Sequence, residues 1–257
     1  MKGIILAAGK GSRLNGTAGD KPKCLLEVGG MTLLERQILA LENAAVDDIV
    51  VVVGCQAERV RRACGPRVTF VENPRFLETN SLYSLWTARA LLSQGFVVLN
   101  CDVLFHPGLL DDLLATHQDA ALLIDYRERD DPAFGDEEMK VKVRSGSVAD
   151  MSKTMDPAEA DGENVGIVKF GPKSAPHLVS ILDRLVAEGA LRDWAPKAFR
   201  EFAQERPVHA IGTGGYPWIE IDFPEDYRRA VREVLPAIEQ AAAVAPAHAS
   251  ANAGRGL

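Results

Sequence analysis

Hydrophobic and polar positions follow two different rhythms along the first half of the chain. Short, unbroken apolar runs predict buried β-strands at 3–8, 47–54, 67–73, 96–103 and 120–127. Between them, apolar residues recur every three or four positions, which predicts helices at 31–44, 57–64, 79–92 and 107–117. Unbroken apolar strands are typical of sheets that are covered on both faces. The alternation therefore predicts an α/β fold with a mostly parallel sheet between layers of helices.

The pattern changes after residue 127. Residues 137–153 predict a β-hairpin around a Ser-Gly-Ser turn. Further strands are predicted at 164–171 and 218–222, and further helices at 175–189, 196–205 and 224–240. The Ala-rich tail, 241–257, has few residues that could pack, so we expect it to be mobile. The sequence thus predicts one domain over 1–240, with halves at about 1–127 and about 128–240.

Composition and charge narrow the class of protein. Of the 257 residues, 47% are hydrophobic and 25% are charged, the balance of an ordinary globular protein. The formal net charge of -7 argues against a nucleic-acid partner, since nucleic acids bind to basic surfaces. No apolar run reaches transmembrane length and the N-terminus lacks a signal peptide, so we expect no membrane contact. The four cysteines lack C-x-x-C spacing, which favours reduced thiols in a cytoplasmic protein.

The stretch GIILAAGKGSRL, residues 3–14, runs from a strand into a loop with small residues and two cations. It differs from the dinucleotide-binding fingerprint, because Leu14 stands where a third glycine is needed. It also differs from the P-loop, because Gly11 follows Lys10 where Ser or Thr is needed. Small residues still let backbone amides approach an anion, and Lys10 and Arg13 add positive charge. The loop is either a phosphate cradle or a glycine-rich turn with surface cations.

The segment DKPKCLLEVGG, residues 20–30, follows soon after this loop. Pro22 stiffens the chain between Lys21 and Lys23, and the apolar Cys-Leu-Leu then anchors it. An anchored lysine is the better phosphate ligand, because less side-chain entropy is lost on binding. Lys23 is therefore a candidate phosphate ligand, and the alternative is a solvated lysine pair.

Together, GIILAAGKGSRL and KPKCLLEVGGMTLLERQI resemble the signature of the nucleotidyltransferases, the sugar-phosphate pyrophosphorylase superfamily. The stretches VENPRFLETNSLYSLWTA, LNCDVLF and WIEIDFPEDYRRA resemble its branch of phosphocholine, phosphonate and inositol-phosphate cytidylyltransferases. The resemblance covers roughly residues 1–235. It implies a Rossmann-like three-layer sandwich with a mixed, mostly parallel sheet, a nucleotide-binding first half and an acceptor-binding second half. It also implies transfer of CMP from CTP to a small phosphorylated alcohol or phosphonate, with release of pyrophosphate.

The resemblance implies that two acidic and two cationic side chains catalyse this reaction. Asp102 and Asp222 each end a predicted strand, and the resemblance implies that they bind Mg²⁺ together. Lys23 and Arg13 are then the catalytic cations that neutralise charge on the phosphates. No general base is required, because the acceptor oxygen is already ionised near neutral pH. Each acid could instead cap a helix, because each precedes a predicted helical stretch.

The resemblance also implies a nucleotide site and an acceptor site. The expected nucleotide contacts lie in the first loop, at the end of the second strand and at a helix start: Ala7, Ala8, Gly9, Lys10, Gly11, Ser12, Arg13, Gly54, Asn80 and Ser81. Asn80 and Ser81 could equally serve only as N-caps. The expected acceptor contacts are Tyr126, Lys140, Lys153, Glu163 and Trp218.

The nature of the acceptor stays open at this point. A quaternary ammonium would be held by aromatic faces and carboxylates, for which the candidates are Tyr126, Phe134, Trp194, Tyr216, Trp218, Asp136, Glu137, Glu138 and Glu163. Lys140 and Lys153 would instead suit an anion or a polyol. The loop 15–20 departs from the family's pattern, because it has Gly-Thr-Ala-Gly where members often carry Pro-Leu-Thr. We expect that loop to be mobile and to close on nucleotide.

Two other functions remain in view. One is a sugar-1-phosphate nucleotidyltransferase that uses UTP, GTP or dTTP. The other, from a different class, is a non-catalytic nucleotide-binding regulator. The presence of Lys23, Asp102 and Asp222 argues against a non-catalytic regulator. Such a protein would have no need to keep two acids that repel each other without a metal. The sequence leaves the oligomeric state open, a homodimer included.

Overall fold

The computed structural model describes residues 1–14, 21–128 and 134–244. Within these ranges the strands are β1 (Lys2–Ala7), β2 (Glu27–Val28), β3 (Met31–Thr32), β4 (Ile49–Val53), β5 (Thr69–Glu72), β6 (Phe96–Asn100), β7 (Val103–Phe105), β8 (Ala120–Tyr126), β9 (Lys140–Arg144), β10 (Ser147–Ser152), β11 (Gly162–Phe170), β12 (His209–Gly212) and β13 (Trp218–Glu220). The α-helices in the same ranges are α1 (Leu33–Asn43), α2 (Ala57–Cys64), α3 (Ser81–Thr87), α4 (Gly108–Ala115), α5 (Ala175–Ala187), α6 (Ala195–Glu205), α7 (Pro224–Arg229) and α8 (Leu235–Val244). The expectations for the loop 15–20 and for the tail beyond Val244 fall outside the described residues.

The central sheet has the strand order β5-β4-β1-β6-β11-β8-β12-β10-β9. The first four strands of that order run parallel, with β1 between β4 and β6. β11 runs antiparallel to both β6 and β8, and β10 runs antiparallel to β12 and β9. The predicted Rossmann-like three-layer sandwich with a mixed sheet is confirmed. Its parallel pairings are concentrated in the first half, and antiparallel pairings dominate from β11 onward.

Residues of β1 alternate between the two helical layers. Ile4 and Leu6 face the layer that contains α3, α5 and α6, whereas Ile5 and Ala7 face the layer of α1, α2 and α4. This period of two is what a β-strand imposes on its side chains. Burial of each Ile or Leu side chain contributes about 1.5–3 kcal/mol to stability relative to exposure. Both faces of the sheet are therefore stabilised by packing against helices.

A third apolar cluster joins the two ends of the chain. Leu14 of the first loop and Val28 of β2 share it with Leu235 of α8. The final helix contains a π-helical turn at Ala230–Val234 and continues to Val244, beyond its predicted end at residue 240. Among the described helices, none is both long and apolar enough to cross a membrane.

Several elements differ from the sequence prediction, which lacks the short strands β2 and β3. The run 96–103 forms two strands, β6 and β7, because the chain leaves the central sheet at a turn, Cys101–Asp102, and then pairs with β13. The predicted helix 79–92 is α3 followed by a 3₁₀ turn at Arg89–Leu91. β12 is absent from the prediction, because its four half-buried residues form neither an apolar run nor a clear alternation.

Candidate active site

The carboxyl ends of β1 and β6 meet at one edge of the sheet, because neighbouring parallel strands end on the same side. A cavity of about 390 Å³ lies at this edge, a volume typical of small-molecule sites. Ala8 and Gly9 line it from the end of β1, and Asn100 and Asp102 line it from the end of β6. The loop that the sequence singles out and both predicted acids, Asp102 and Asp222, therefore share one cavity.

Lys23 lines this cavity and is held by two carboxylates. Its Nζ donates to Asp102 Oδ2 at 2.8 Å and also to Asp222 Oδ1. Only 11% of the Lys23 side chain is exposed. Burial opposes the positive charge, but the negative charges of Asp102 and Asp222 outweigh it and raise the pKa of Lys23 above its ordinary value. The residue is therefore a fixed cation rather than part of a solvated lysine pair.

Two local features hold Lys23 in place. The residue starts a 3₁₀ turn directly after Pro22, and the next residue, Cys24, is buried. Gly11 of the first loop packs against the lysine, so that a Cβ at Gly11 would lie 2.7 Å from Lys23 Cβ. Gly11 also has a φ of +63°, in the left-handed region that favours glycine. Glycine is thus needed at this position both for the backbone angle and for the close approach to Lys23.

A two-stranded ribbon brings the two predicted aspartates together. Asp102 lies in the turn between β6 and β7, and Asp222 follows β13, which pairs antiparallel with β7. The backbone N–H of Ile221 donates to the carbonyl of Asp102 at 3.0 Å. The alternative helix-cap roles do not apply. A strand follows Asp102, and the backbone N–H of Asp222 itself donates to the carboxylate of Asp226.

Three carboxylates converge beside Lys23. Asp102, Glu220 and Asp222 each have one oxygen within 4.8 Å of those of the other two. Lys23 binds Oδ2 of Asp102, whereas Oδ1 is buried and has no hydrogen-bond partner among the described residues. Carboxylate oxygens are the hard ligands that Mg²⁺ prefers. The donor set and the unpartnered oxygen therefore fit a divalent cation.

Glu220 is a member of this cluster that is not among the predicted site residues. It lies two positions before Asp222 in the predicted strand 218–222, where residues i and i+2 share a face, and this spacing is the signal that the sequence contains. Its side chain is exposed towards the cavity. Partial desolvation there, together with the negative charges of Asp102 and Asp222, raises the pKa of Glu220 above its ordinary value.

Arg13 and Lys153 meet at a further carboxylate, that of Glu137. Arg13 Nη1 donates to Glu137 Oε2 at 2.9 Å, and Lys153 Nζ donates to the same oxygen at 3.3 Å. The hydrogen bond from Arg13 is the main cause of a lowered pKa at Glu137. Arg13 Nη1 also lies 3.6 Å from Asp222 Oδ2. Lys153 Nζ lies 5.1 Å from the centre of the Trp194 ring, within cation–π range.

The start of α3 forms another part of the cavity wall. Asn80 accepts from the backbone N–H of Ser81 at 2.8 Å, and Ser81 Oγ accepts from the backbone N–H of Ala195 at 2.9 Å. Both residues also line the cavity, so the two interpretations of this pair stay open. The buried amides Asn73 and Asn164 line it as well. No spacing pattern in the sequence points to these two, because each is an isolated asparagine.

The remaining predicted nucleotide contacts divide into two groups. Ala8, Gly9, Gly11 and Arg13 line the cavity, whereas Ala7, Lys10 and Gly54 do not. The side chain of Ala7 is buried in the core below the sheet edge, and Lys10 is exposed. A Cβ at Gly54 would lie 2.8 Å from the carbonyl oxygen of Ala8, so Gly54 packs behind the wall. The side chain of Ser12 lies outside the described part of the structure.

Among the predicted acceptor contacts, Lys153 lines the cavity, whereas Tyr126, Lys140, Glu163 and Trp218 do not. Strand pairing directs these four side chains elsewhere. Lys140 and Glu163 are opposite residues of the β9–β11 pair, and the buried Lys140 Nζ donates to the carbonyl of Gly135 at 2.6 Å. Trp218 Nε1 donates to Asp125 of β8 at 3.0 Å. The side chain of Tyr126, at the end of β8, is exposed.

Known proteins resemble this chain over most of its length. The sequence matches the MobA-like NTP transferase domain over residues 3–194. It is 32% identical over 237 residues to the bifunctional IPC transferase and DIPP synthase of Rubrobacter xylanophilus, covering 90% of this chain and 51% of that protein. It is 26% identical over 243 residues to the choline-phosphate cytidylyltransferase of Streptococcus pneumoniae, covering 91% of this chain and 98% of that one. The chain thus spans about half the length of the first relative and nearly all of the second.

A solved structure shows the same fold. The inositol-1-phosphate CTP transferase from T. maritima superimposes with a TM-score of 0.76 at 22% identity. The match covers 93% of this chain and 96% of that one, so the likeness extends over both halves of the fold.

Proposed function

The chain belongs to the MobA-like NTP transferase domain family, and on that premise we propose that it transfers CMP from CTP to a small phosphorylated alcohol or phosphonate, with release of pyrophosphate. The observation that carries the proposal is Lys23, held between Asp102 and Asp222 and packed against the glycine loop at the edge of the sheet. The choice of CTP rests on the relatives whose names specify CTP or cytidylyl transfer.

In this reaction an oxygen of the acceptor's phosphate or phosphonate attacks the α-phosphorus of CTP. A bond forms between that oxygen and the α-phosphorus, and the bond from the α-phosphorus to the bridging oxygen breaks. Pyrophosphate leaves with the bonding electron pair. The acceptor oxygen is already ionised near neutral pH, so no side chain has to remove a proton. Positioning and charge neutralisation are then what the protein contributes.

In this reaction Lys23 and Arg13 each neutralise a different part of the negative charge on the triphosphate. Lys23, which its two carboxylates hold in place, lies between the α-phosphate and the acceptor. Arg13 exchanges its contact with Glu137 for the β- and γ-phosphates. The backbone amides of Gly9–Gly11 face the same triphosphate, since small residues allow a close approach.

Asp102 and Asp222, with Glu220 beside them, would hold Mg²⁺. When bound, the ion neutralises phosphate charge and makes the α-phosphorus more susceptible to attack. The contribution of the chain is to bring the carboxylates to one edge of the sheet and to leave Asp102 Oδ1 without another partner.

The acceptor end of the cavity contains Trp194, Lys153 and Glu137. The Lys153 ammonium lies over the Trp194 ring with Glu137 as its counterion. A substrate ammonium fits the same combination of an aromatic face and a carboxylate. Lys153 already occupies this position, however, and would itself suit an anion or a polyol, so phosphocholine, 2-aminoethylphosphonate and inositol phosphate are all acceptors to test.

Pyrophosphate release by the purified chain tests the proposal. CTP, UTP, GTP and dTTP are each combined with phosphocholine, 2-aminoethylphosphonate, inositol 1-phosphate or glucose 1-phosphate in the presence of Mg²⁺. Release that requires CTP and one of the first three acceptors supports the proposal. Release with glucose 1-phosphate and UTP, GTP or dTTP would identify a sugar-1-phosphate nucleotidyltransferase instead. No release with any pair would favour a non-catalytic regulator.

A further inference from the structure

Gln37 is a buried polar residue in the middle of α1 that has no part in the chemistry above. The residue is 1% exposed. Its Nε2 donates to the carbonyl of Asn100 at 2.8 Å and to the carbonyl of Val103 at 2.9 Å. These carbonyls stand on either side of the turn Cys101–Asp102. Gln37 therefore spans the turn that carries one of the proposed metal ligands.

The two carbonyls fix the orientation of the Gln37 amide. A rotation by half a turn would bring Oε1 against two carbonyl oxygens and would break both hydrogen bonds. In the observed orientation Oε1 is buried and has no partner in the part of the chain that the structure describes. An unpartnered buried oxygen costs stability, and an apolar side chain of the same size would avoid that cost. Packing alone therefore does not explain a glutamine at this position.

The turn needs donors because it joins two different sheets. β6 pairs with β1 as far as Asn100, and β7 begins at Val103 with β13 as its partner. The carbonyl of Asp102 accepts from the backbone N–H of Ile221 at 3.0 Å. With the two bonds from Gln37, the backbone of the turn is held by α1 and by the segment that leads to Asp222.

We propose that Gln37 is a positioning residue, which clamps the carbonyls of Asn100 and Val103 and so fixes the direction of the Asp102 carboxylate. The catalytic consequence rests on the function proposed above. With the turn fixed, Asp102 Oδ2 meets Lys23, and Oδ1 stays available to a divalent cation. Groups that orient a metal ligand in this way typically change metal affinity or activity by about 10–100-fold when they are removed.

The substitution Gln37→Met tests the clamp, because methionine keeps the length of the side chain but has no N–H donor. Mn²⁺ is the probe, and its binding to the full chain is measured from the EPR signal of the free ion. We expect Gln37→Met to bind Mn²⁺ about 10–100-fold more weakly than the wild type. We also expect kcat to fall by a similar factor, while KM for the nucleotide stays close to the wild-type value.

Three further variants complete the design. Leu41→Ala removes buried methyl groups from the same helix, where Leu41 packs over Gly3 near the start of β1. It should lower the melting temperature but keep its Mn²⁺ affinity. Asp102→Asn should abolish the measured binding, which assigns the signal to this site. Gln37→Leu also lacks an N–H donor and carries no charge. It should likewise weaken Mn²⁺ binding and gives a second variant in case Gln37→Met does not fold.

The outcomes separate this inference from the proposed function. Wild-type Mn²⁺ affinity in Gln37→Met would overturn the inference, and so would an equal loss of affinity in Leu41→Ala. No Mn²⁺ binding by the wild type would overturn it as well. Weakened Mn²⁺ binding in Gln37→Met, together with a wild type that releases no pyrophosphate with any substrate pair, would uphold the positioning role and refute the transferase.

Discussion

At the scale of single residues, Lys23 neutralises two acids that would otherwise repel each other. Lys23→Ala should lower kcat about 10²–10³-fold, the usual effect of losing one transition-state donor, and should weaken CTP binding far less. Lys21→Ala is the matched control, because Lys21 is exposed and pairs with Glu27 outside the cavity. Steady-state kinetics with varied CTP separates kcat from KM. If the fall in kcat were matched by an equal weakening of CTP binding, Lys23 would be a binding residue only.

The two aspartates allow a second test at this scale. Asp102→Ala and Asp222→Ala should each abolish Mg²⁺-dependent turnover, because each removes a proposed metal ligand and one counter-charge of Lys23. Circular dichroism should show that both variants remain folded, since both side chains are part-exposed. Asp112→Ala, an exposed acid on α4, should behave as the wild type. A near-normal Mg²⁺-dependent rate in either variant would remove that aspartate from the metal site.

The sequence predicts residues whose partners are close along the chain and misses those whose partners are distant. Gly11 and Lys23 can be singled out from two short neighbouring stretches. Glu220 can be found from its spacing to Asp222 within the predicted strand 218–222. Gln37 resembles an ordinary helical residue in the sequence. The carbonyls that it binds flank a turn that three strands and two helices separate from α1.

At the scale of elements, the glycine loop and the 3₁₀ turn of Lys23 form one packed unit. Gly11→Ala places a methyl group 2.7 Å from Lys23 Cβ and puts alanine at a φ of +63°. We expect a lower melting temperature and a kcat reduced by about tenfold or more, since small displacements of catalytic groups are costly. Gly9→Ala is the control for stability, because its methyl group meets no described atom within 4 Å. An unchanged kcat in Gly11→Ala would show that loop and lysine are independent.

The β9–β11 pair contains a carboxyl group whose ionisation opposes folding. Burial raises the pKa of Glu163 from an ordinary value of 4.5 to about 7, with Glu138 and Asp125 adding to the effect and Lys140 opposing it. Between these two pH values the native state binds more protons than the unfolded chain, so stability falls as the pH rises. Above about pH 7 the loss is complete.

The substitution Glu163→Gln removes this pH-dependent loss. The variant should exceed the wild type in stability by about 1–3 kcal/mol above pH 7 and should show no such gain near pH 4.5. Urea unfolding of both proteins at acidic and at alkaline pH measures the difference. Glu159→Gln is the control, because Glu159 belongs to an exposed ion pair with Lys142, and such pairs contribute little. A gain of the same size at both pH values would contradict a raised pKa.

At the scale of the whole molecule, long-range pairings assemble the site. β11 inserts between β6 and β8, and β13 pairs with β7. Hydrophobic periodicity indicates which face a residue uses but not which strand lies beside it. The sequence therefore predicts the layers and most of the elements, whereas the strand order comes from the structure. Without the family resemblance, nothing local in the sequence would place Asp222 next to Asp102.

The central claim is that the glycine loop, Lys23 and the carboxylates form one site for a metal and a triphosphate. The most direct test is the anomalous diffraction of a crystal of the full chain grown with Mn²⁺ and a non-hydrolysable CTP analogue. We predict a manganese peak between Asp102 and Asp222, with the triphosphate along Gly9–Arg13. A manganese peak distant from both aspartates, or a triphosphate bound away from that loop, would contradict the claim.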